Sequence, residues 1–172
     1  VCIARGVLAQ EHERWAEAEA HYEEALSIAR ASHSTGAEGR AQAHLADVAL
    51  HNGNASFATY LLHEALPKLN ESGDFEMSSY FVGRLGEAMI QNGQVDEGTQ
   101  LLGRALRLAE QMEYLEYERM WHQALAVRAM EIGSYAEARR HFMLALSLWE
   151  EDQSEYVLTL CYLSKVCLRL SE

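Results

Sequence analysis

RWAEAEAHYEEALSIAR (14–30), NASFATYLLHEALPKLN (54–70), QVDEGTQLLGRALRLAE (94–110) and SYAEARRHFMLALSLWE (134–150) stand in register at a spacing of 40 residues. In that alignment one column reads Ala25, Ala65, Ala105, Ala145 and the next Leu26, Leu66, Leu106, Leu146. A third is small throughout: Ala18, Ala58, Gly98, Ala138. A fixed period of this size marks stacked helical hairpins, because one hairpin cannot bury its apolar face alone and must lay it on the next. The expected fold is all-α, a right-handed superhelical solenoid of antiparallel helix hairpins with about nine helices.

The punctuation around these phrases supports that reading. Asn52-Gly53-Asn54, Asn92-Gly93-Gln94 and Ile132-Gly133-Ser134 read as hairpin turns, with Gly supplying the left-handed conformation that ends a helix. Ala41, Leu45 and Val48 lead into the first of these, and Ala58, Leu61, Leu62, Ala65, Leu66 and Leu69 leave it, all at helical spacing. Polar links are expected at Ser32–Gly36, Glu71–Asp74 and Glu151–Ser154. Helices are predicted at 1–12, 14–31, 37–52, 54–71, 74–92, 94–112, 114–132, 134–150 and 154–170. They form one repeat domain over 1–172, with repeats at 1–31, 37–71, 74–112 and 114–150 and a half repeat at 154–172.

Composition narrows the function. A single Pro in a chain rich in Ala, Leu and Glu favours helix. Apolar residues make up 49%, enough for a continuous core. No apolar run is long enough to span a bilayer, and no signal peptide is visible, so a cytoplasmic protein away from membranes is expected. A net charge of −12 argues against direct nucleic-acid binding, which needs a basic stripe. Cys2, Cys161 and Cys167 are expected to be reduced and buried or half-buried, since Cys161 and Cys167 are badly placed on one helix to bridge.

The two ends are unlike the middle. Val1 falls inside a repeat, so the chain is expected to be a fragment of a longer protein. HLADVALHNGN (44–54) aligns without a gap with YLSKVCLRLSE (162–172), which places the last helix as the first half of a hairpin. Its stripe of Val157, Leu160, Leu163, Val166 and Leu170 is expected to be uncovered. Either further protein covers it or the chain self-associates through helix 154–170.

Leu45-Ala46, Leu85-Gly86 and Leu125-Ala126, followed by Ala18/Tyr22, Ala58/Leu62, Gly98/Leu102 and Ala138/Phe142, resemble the L-G and A-x3-F steps of tetratricopeptide repeats. The chain departs from that signature where Gln42, Val82 and His122 replace Trp and where Arg30, Asn70, Glu110 and Glu150 replace Pro. Arg5 stands at a Leu position, and the period is about six residues longer than the usual 34. The long variant is similar to the repeats of bacterial signal-transduction regulators and of polarity and motor-adaptor proteins. No P-loop and no basic recognition helix occur within the 172 residues.

The resemblance implies a concave groove lined by the first helix of each hairpin. Carried over, its rows are Arg40, Tyr80, Met120 and Leu158; then Ala43, Gly83, Gln123 and Cys161; then Val7, Asp47, Glu87, Val127 and Lys165; then Glu11, His51, Gln91, Glu131 and Arg169. His44 and Arg84 flank them. Small residues at Ala43 and Gly83 are expected to leave room for a bound chain, and the acidic middle suits a protein or peptide partner of basic and apolar character.

His44, Asp47 and His51 share one helix stripe, but His44 and His51 stand about 10.5 Å apart along an ideal helix, too far to share one ion. No metal and no cofactor is expected there or elsewhere in the chain. His12, His21, His33, His63, His122 and His141 are read as lacking i,i+4 pairing and as surface or interface residues. Trp15, Trp121, Trp149, Tyr22, Tyr114, Tyr117 and Tyr135 read mostly as packing residues. Asp47 and Glu87 are the only acid pair in a concave setting, and no G-x-S-x-G or Cys/His arrangement occurs, so an enzyme is not expected. Two functions remain: a peptide- or helix-binding scaffold, and a small-molecule-sensing repeat domain of a multidomain transcriptional regulator.

Overall fold

A computed structural model describes residues 1–148 and 154–171. The helices are α1 Cys2–Glu11, α2 Trp15–Ala31, α3 Thr35–His51, α4 Ala55–Glu71, α5 Phe75–Gln91, α6 Val95–Met112, α7 Leu115–Glu131, α8 Tyr135–Ser147 and α9 Ser154–Ser171. These are the expected elements, and no strand occurs among the described residues. Trp149, the end of the helix predicted over 134–150 and most of the link expected at 151–154 lie outside the described residues.

The turns correct the expected distinction between tight hairpins and looser links. Residues 13, 33, 53, 73, 93, 113 and 133 all have positive φ, between 52° and 86°. Each is bracketed by the same pair of bonds, as in Gly53 N–H to Leu50 O at 3.0 Å and Asn54 N–H to Ala49 O at 2.8 Å. These bonds cap carbonyls that the last helical turn would leave without partners. One left-handed turn therefore recurs every 20 residues, both within hairpins and between them. The expected link Ser32–Gly36 shrinks to such a turn, because Thr35 and Gly36 already belong to α3. Four of the seven positions are Gly; the others are Glu13, His33 and Glu113.

The chain forms two compact units, Val1–Gly98 and Thr99–Glu172. In the first, α1 to α5 pack each on the next. The small columns lie where backbones meet: Ala18, Ala58 and Ala65 are fully buried, and a β-carbon added to Gly98 would stand 2.5 Å from Gly86 O. Gly6 lies beneath the Tyr22 ring with no room for a β-carbon, so α1 packs closely although the adjacent Arg5 replaces the expected Leu. Tyr22, Leu62, Leu69 and Phe81 fill the interior.

In the second unit α8 packs between α7 and α9. Ala126, Ala129, Ala138, Phe142 and Val166 form a core, with Met130, Tyr135, Tyr162 and Leu163 packed against it. This corrects the stripe expected on α9: Val166 is buried and Leu163 packs on the core, whereas Val157, Leu160 and Leu170 are exposed. The helix turns its Tyr162/Leu163/Val166 side toward α8. Cys161 and Cys167 are exposed rather than buried, and Cys2 is half-buried; all three are free thiols.

Candidate functional site

The mid-groove residues of the first unit come together across α3 and α5. Asp47, 3% exposed, accepts a bond from Arg84 Nε at 2.6 Å and one from the Tyr80 hydroxyl at 3.4 Å. The same guanidinium donates through Nη1 to Glu87, one turn further along α5. Burial alone would lower the Arg84 pKa, but Asp47 and then Glu87 hold it above its ordinary value. Burial, and next the Asp47 charge, pushes Tyr80 up. Burial also raises Glu87, against the opposing pull of Arg84.

The acidic wall expected from Asp47 and Glu87 is thus a partly neutralised network, two carboxylates on one guanidinium. Asp47 is a packed, partnered group rather than a free groove charge. Ala43 and Gly83, expected to leave room for a ligand, are buried. The accessible part of this face is formed by Arg40, paired with Asp74 at 2.8 Å, the partly exposed Tyr80, Arg84 and Glu87, and the exposed His51 and Gln91.

His44, Asp47 and His51 diverge in their partners. The His44 ring stacks on Tyr22 at 4.9 Å and meets Phe81 edge-on at 5.5 Å. Burial lowers its pKa. His51 stacks on Trp15 at 3.8 Å. The stripe is a packing surface whose two rings stack on different partners.

On the opposite face of α3, between α2 and α4, lies an open cleft of about 450 Å³. Glu19, Glu23, Leu26, Arg30, Phe57 and Tyr60 are among its lining residues. Phe57 and Tyr60 are 48% and 59% exposed, with ring planes 15° apart.

In the second unit the groove residues are spread along α7 and α9. Met120 is half-buried, and Val127 and Glu131 are exposed. Gln123 Nε2 donates to Thr159 Oγ1 at 2.6 Å, Glu131 pairs with Arg128 at 2.7 Å, and Lys165 Nζ stands 5.3 Å from the Tyr162 ring centre.

The polar centre of this unit is elsewhere. His122 and His141, expected as surface or interface residues, are 4% and 6% exposed, and their Nδ1 atoms are 2.9 Å apart. Arg140 Nη2 lies 3.2 Å from His141 Nε2 and can only donate. His141 therefore carries its proton on Nδ1 and gives it to His122 Nδ1, which leaves the His122 proton on Nε2. Burial, then the neighbouring charges, lowers both rings, His122 to about 4, so both are neutral near pH 7. His122 Nε2 points toward Glu118, whose Oε1 is 4.0 Å away, and Glu110 completes a set of donor atoms all within 4.8 Å of one another.

A signal for this centre was present in the sequence. His122 stands in the column of Gln42 and Val82, and all three are buried. Glu118 and His122 are an i,i+4 pair on α7, which corrects the expectation that His122 has no such partner.

No sequence-family profile matches the chain, and no curated protein sequence matches it. Solved structures do. The apo form of the quorum sensor NprR from B. thuringiensis superposes with a TM-score of 0.82 at 17% identity, over 99% of this chain and 48% of that one. Apo RapI gives 0.78 at 16% identity, over 99% and 48%. A kinesin-light-chain-type protein with TPR-like repeats from Podosopora anserina gives 0.74 at 17%, over 99% and 85%. The fold is that of the TPR-like helical repeat proteins, as the motifs implied. The chain spans about half the length of RapI and NprR. Among the described residues no helix is long and apolar enough to cross a membrane.

Proposed function

We propose that this chain is a protein-interaction module that holds an extended or helical peptide against the α3–α5 face of its first unit. The observation that carries the reading is the Asp47–Arg84–Glu87–Tyr80 network. It fixes two half-exposed charged groups and an aromatic ring on one face, on rigid helices, before any partner arrives. Preorganised groups spare a ligand the cost of ordering them. Two carboxylates against one guanidinium leave the network net negative, and the chain carries −12 overall. The favoured partner carries Lys or Arg to meet Glu87 and an apolar residue to lie on Tyr80. It is not a nucleic acid. The module works without a cofactor and in the cytoplasm, and the exposed Val157, Leu160 and Leu170 give it a second contact surface for self-association through α9.

A second reading places the chain as a sensing repeat domain within a multidomain transcriptional regulator. It is supported by the likeness to a quorum sensor.

Peptide display against the purified chain, followed by calorimetry on the selected sequences, tests the main reading. Enriched peptides should be basic and apolar, and Glu87→Lys should weaken them at least tenfold while the circular dichroism spectrum is kept. Full affinity in Glu87→Lys and in Arg40→Glu would remove the binding site from this face. The α2–α4 cleft, probed by Tyr60→Ala, would then take its place.

A further inference from the structure

We infer that Glu110, Glu118 and His122 form a binding site for one divalent cation of the zinc class. The set is more than a cluster of surface acids. Its imidazole is 4% exposed, is fixed on one side by the 2.9 Å contact with His141, and turns its other nitrogen to the two carboxylates. The carboxylate oxygen facing that nitrogen, Glu118 Oε1, is 4.0 Å off, beyond hydrogen-bond distance. Neither carboxylate has an Arg or Lys ion pair among the described residues, and their oxygens lie within 4.8 Å of each other and of the imidazole nitrogen. Glu118 and His122 come from successive turns of α7, and Glu110 from the last turns of α6. Two rigid helices thus present the three ligands.

The chemistry of the set selects the ion. Neutral imidazole favours zinc and its neighbours over magnesium or calcium, and carboxylate oxygens complete a borderline set. Zinc binds such donors at about 2.0–2.2 Å, which puts neighbouring donors about 3.3–3.5 Å apart. The present spread of up to 4.8 Å closes to that by rotation of the exposed Glu110 and half-exposed Glu118 side chains. Three protein ligands leave a fourth position for water or for a partner's side chain. His141 supplies the outer contact that a ligating histidine normally makes through its other nitrogen.

Binding requires one rearrangement, and its protons balance. The cation takes the place of the proton on His122 Nε2. The proton shared between the Nδ1 atoms passes from His141 to His122, and the displaced proton is taken up through solvent at His141 Nε2. The pair keeps two protons throughout. The exposed Arg140 must then turn away from His141 Nε2, to which it now donates. Arg140 therefore opposes the metal-ready tautomer.

Zinc chloride titrated into the chelator-treated 172-residue chain at pH 7.4, followed by calorimetry, tests this. One saturable equivalent is expected. Glu118→Gln should weaken it at least tenfold and Glu110→Gln by less, with helicity unchanged by circular dichroism. Arg140→Gln should tighten it several-fold. Because His122 is buried and its substitution endangers folding, its ligation is read in the unsubstituted protein: zinc should move the ring nitrogen resonances of His122. No saturable binding, an affinity untouched by Glu118→Gln, or an unmoved His122 ring would each overturn the proposal. Magnesium chloride at the same concentration should not compete, and equal competition would also overturn it.

Discussion

The two units solve the burial of polar groups differently. In the first, charge is buried with its counter-charge: Asp47 is 3% exposed, and Arg84 satisfies it and Glu87 together. In the second, the buried polar groups are neutral, two imidazoles joined through one proton, with one nitrogen facing the carboxylates of Glu110 and Glu118. The helices and turns that carry the two centres repeat; only the side chains differ. A closed ion network resists change and presents a fixed surface, whereas a buried imidazole edge beside two carboxylates offers donor atoms that can turn to a ligand. The first arrangement suits recognition of a large partner, and the second suits capture of an ion.

The largest effect should come from opening the closed network. Arg84→Met leaves Asp47 charged, buried and without its main partner, which typically costs about 3–5 kcal/mol. Urea denaturation should show a loss of that order. Asp47→Leu combined with Arg84→Met removes the pair together and should recover most of it, since a buried ion pair often does no better than an apolar replacement. If Arg84→Met alone cost less than about 1 kcal/mol, within the range of surface ion pairs, Asp47 would have to be solvated and the contrast between the units would fail.

Next in size is the packing that both units share. Ala65 lies in the first and Ala145 in the second, both fully buried at equivalent points of the repeat. Ala65→Leu and Ala145→Leu should each destabilise by about 1–3 kcal/mol through overpacking. Similar losses would confirm that backbone spacing is common to both units. A silent substitution in either would show that the column is not closed there.

The repeat was legible because it rests on size and periodicity. A small residue recurring where two backbones meet can be read without coordinates, as at Ala18, Ala58, Gly98 and Ala138. The Gly turns at 53, 93 and 133 were legible for the same reason, since only Gly enters the left-handed region without strain. The equivalent turns at Glu13, His33 and Glu113 were hidden, because nothing in their side chains announces the conformation. The polar centres were hidden in another way. Asp47 occupies a groove row, yet it is covered by Tyr80 and Arg84 from α5, the first helix of the next hairpin, and a position on one helix does not reveal what another lays over it. The His122–His141 contact depends on the rotation of α8 against α7, which sequence spacing does not fix.

Acid should separate the units further. His44 in the first unit, and His122 and His141 in the second, are held below the ordinary imidazole range by burial. Such groups are neutral in both states above about pH 6.5. Below that the unfolded chain takes up protons that the folded one refuses, so stability is present above pH 6.5 and falls as pH drops toward the folded pKa, about 4 for His122. Around His44 the facing groups are Tyr22, Phe81 and Asp47; around the pair they are Arg140, Glu137 and Glu118. With two such rings against one, the second unit should lose more between pH 7 and 5. Hydrogen exchange with chelator present would measure this, read separately on α3 and on α7–α8. Equal loss in both would mean that the histidine pair is already solvated.

The smallest effect tests the premise that the turns are the same everywhere. Glu13, His33 and Glu113 adopt φ of 57°, 52° and 57° in the conformation that Gly53, Gly73, Gly93 and Gly133 adopt at their turns. A left-handed non-Gly residue costs roughly 1–2 kcal/mol, and the greater freedom of Gly in the unfolded chain returns part of that. His33→Gly in the first unit and Glu113→Gly in the second should each stabilise by about 0.5–1 kcal/mol, raising the melting temperature by a few degrees. Gly53→Ala and Gly133→Ala should do the reverse by a similar amount. A β-carbon at either Gly would meet no atom within 4 Å, so the cost there is conformational and not steric. If the gain at His33 and the gain at Glu113 agree, the backbone is common to both units and the differences between them lie in the side chains of α3, α5, α7 and α8. A gain at one position and a loss at the other would show that the units already differ at the turn, before any polar group is considered.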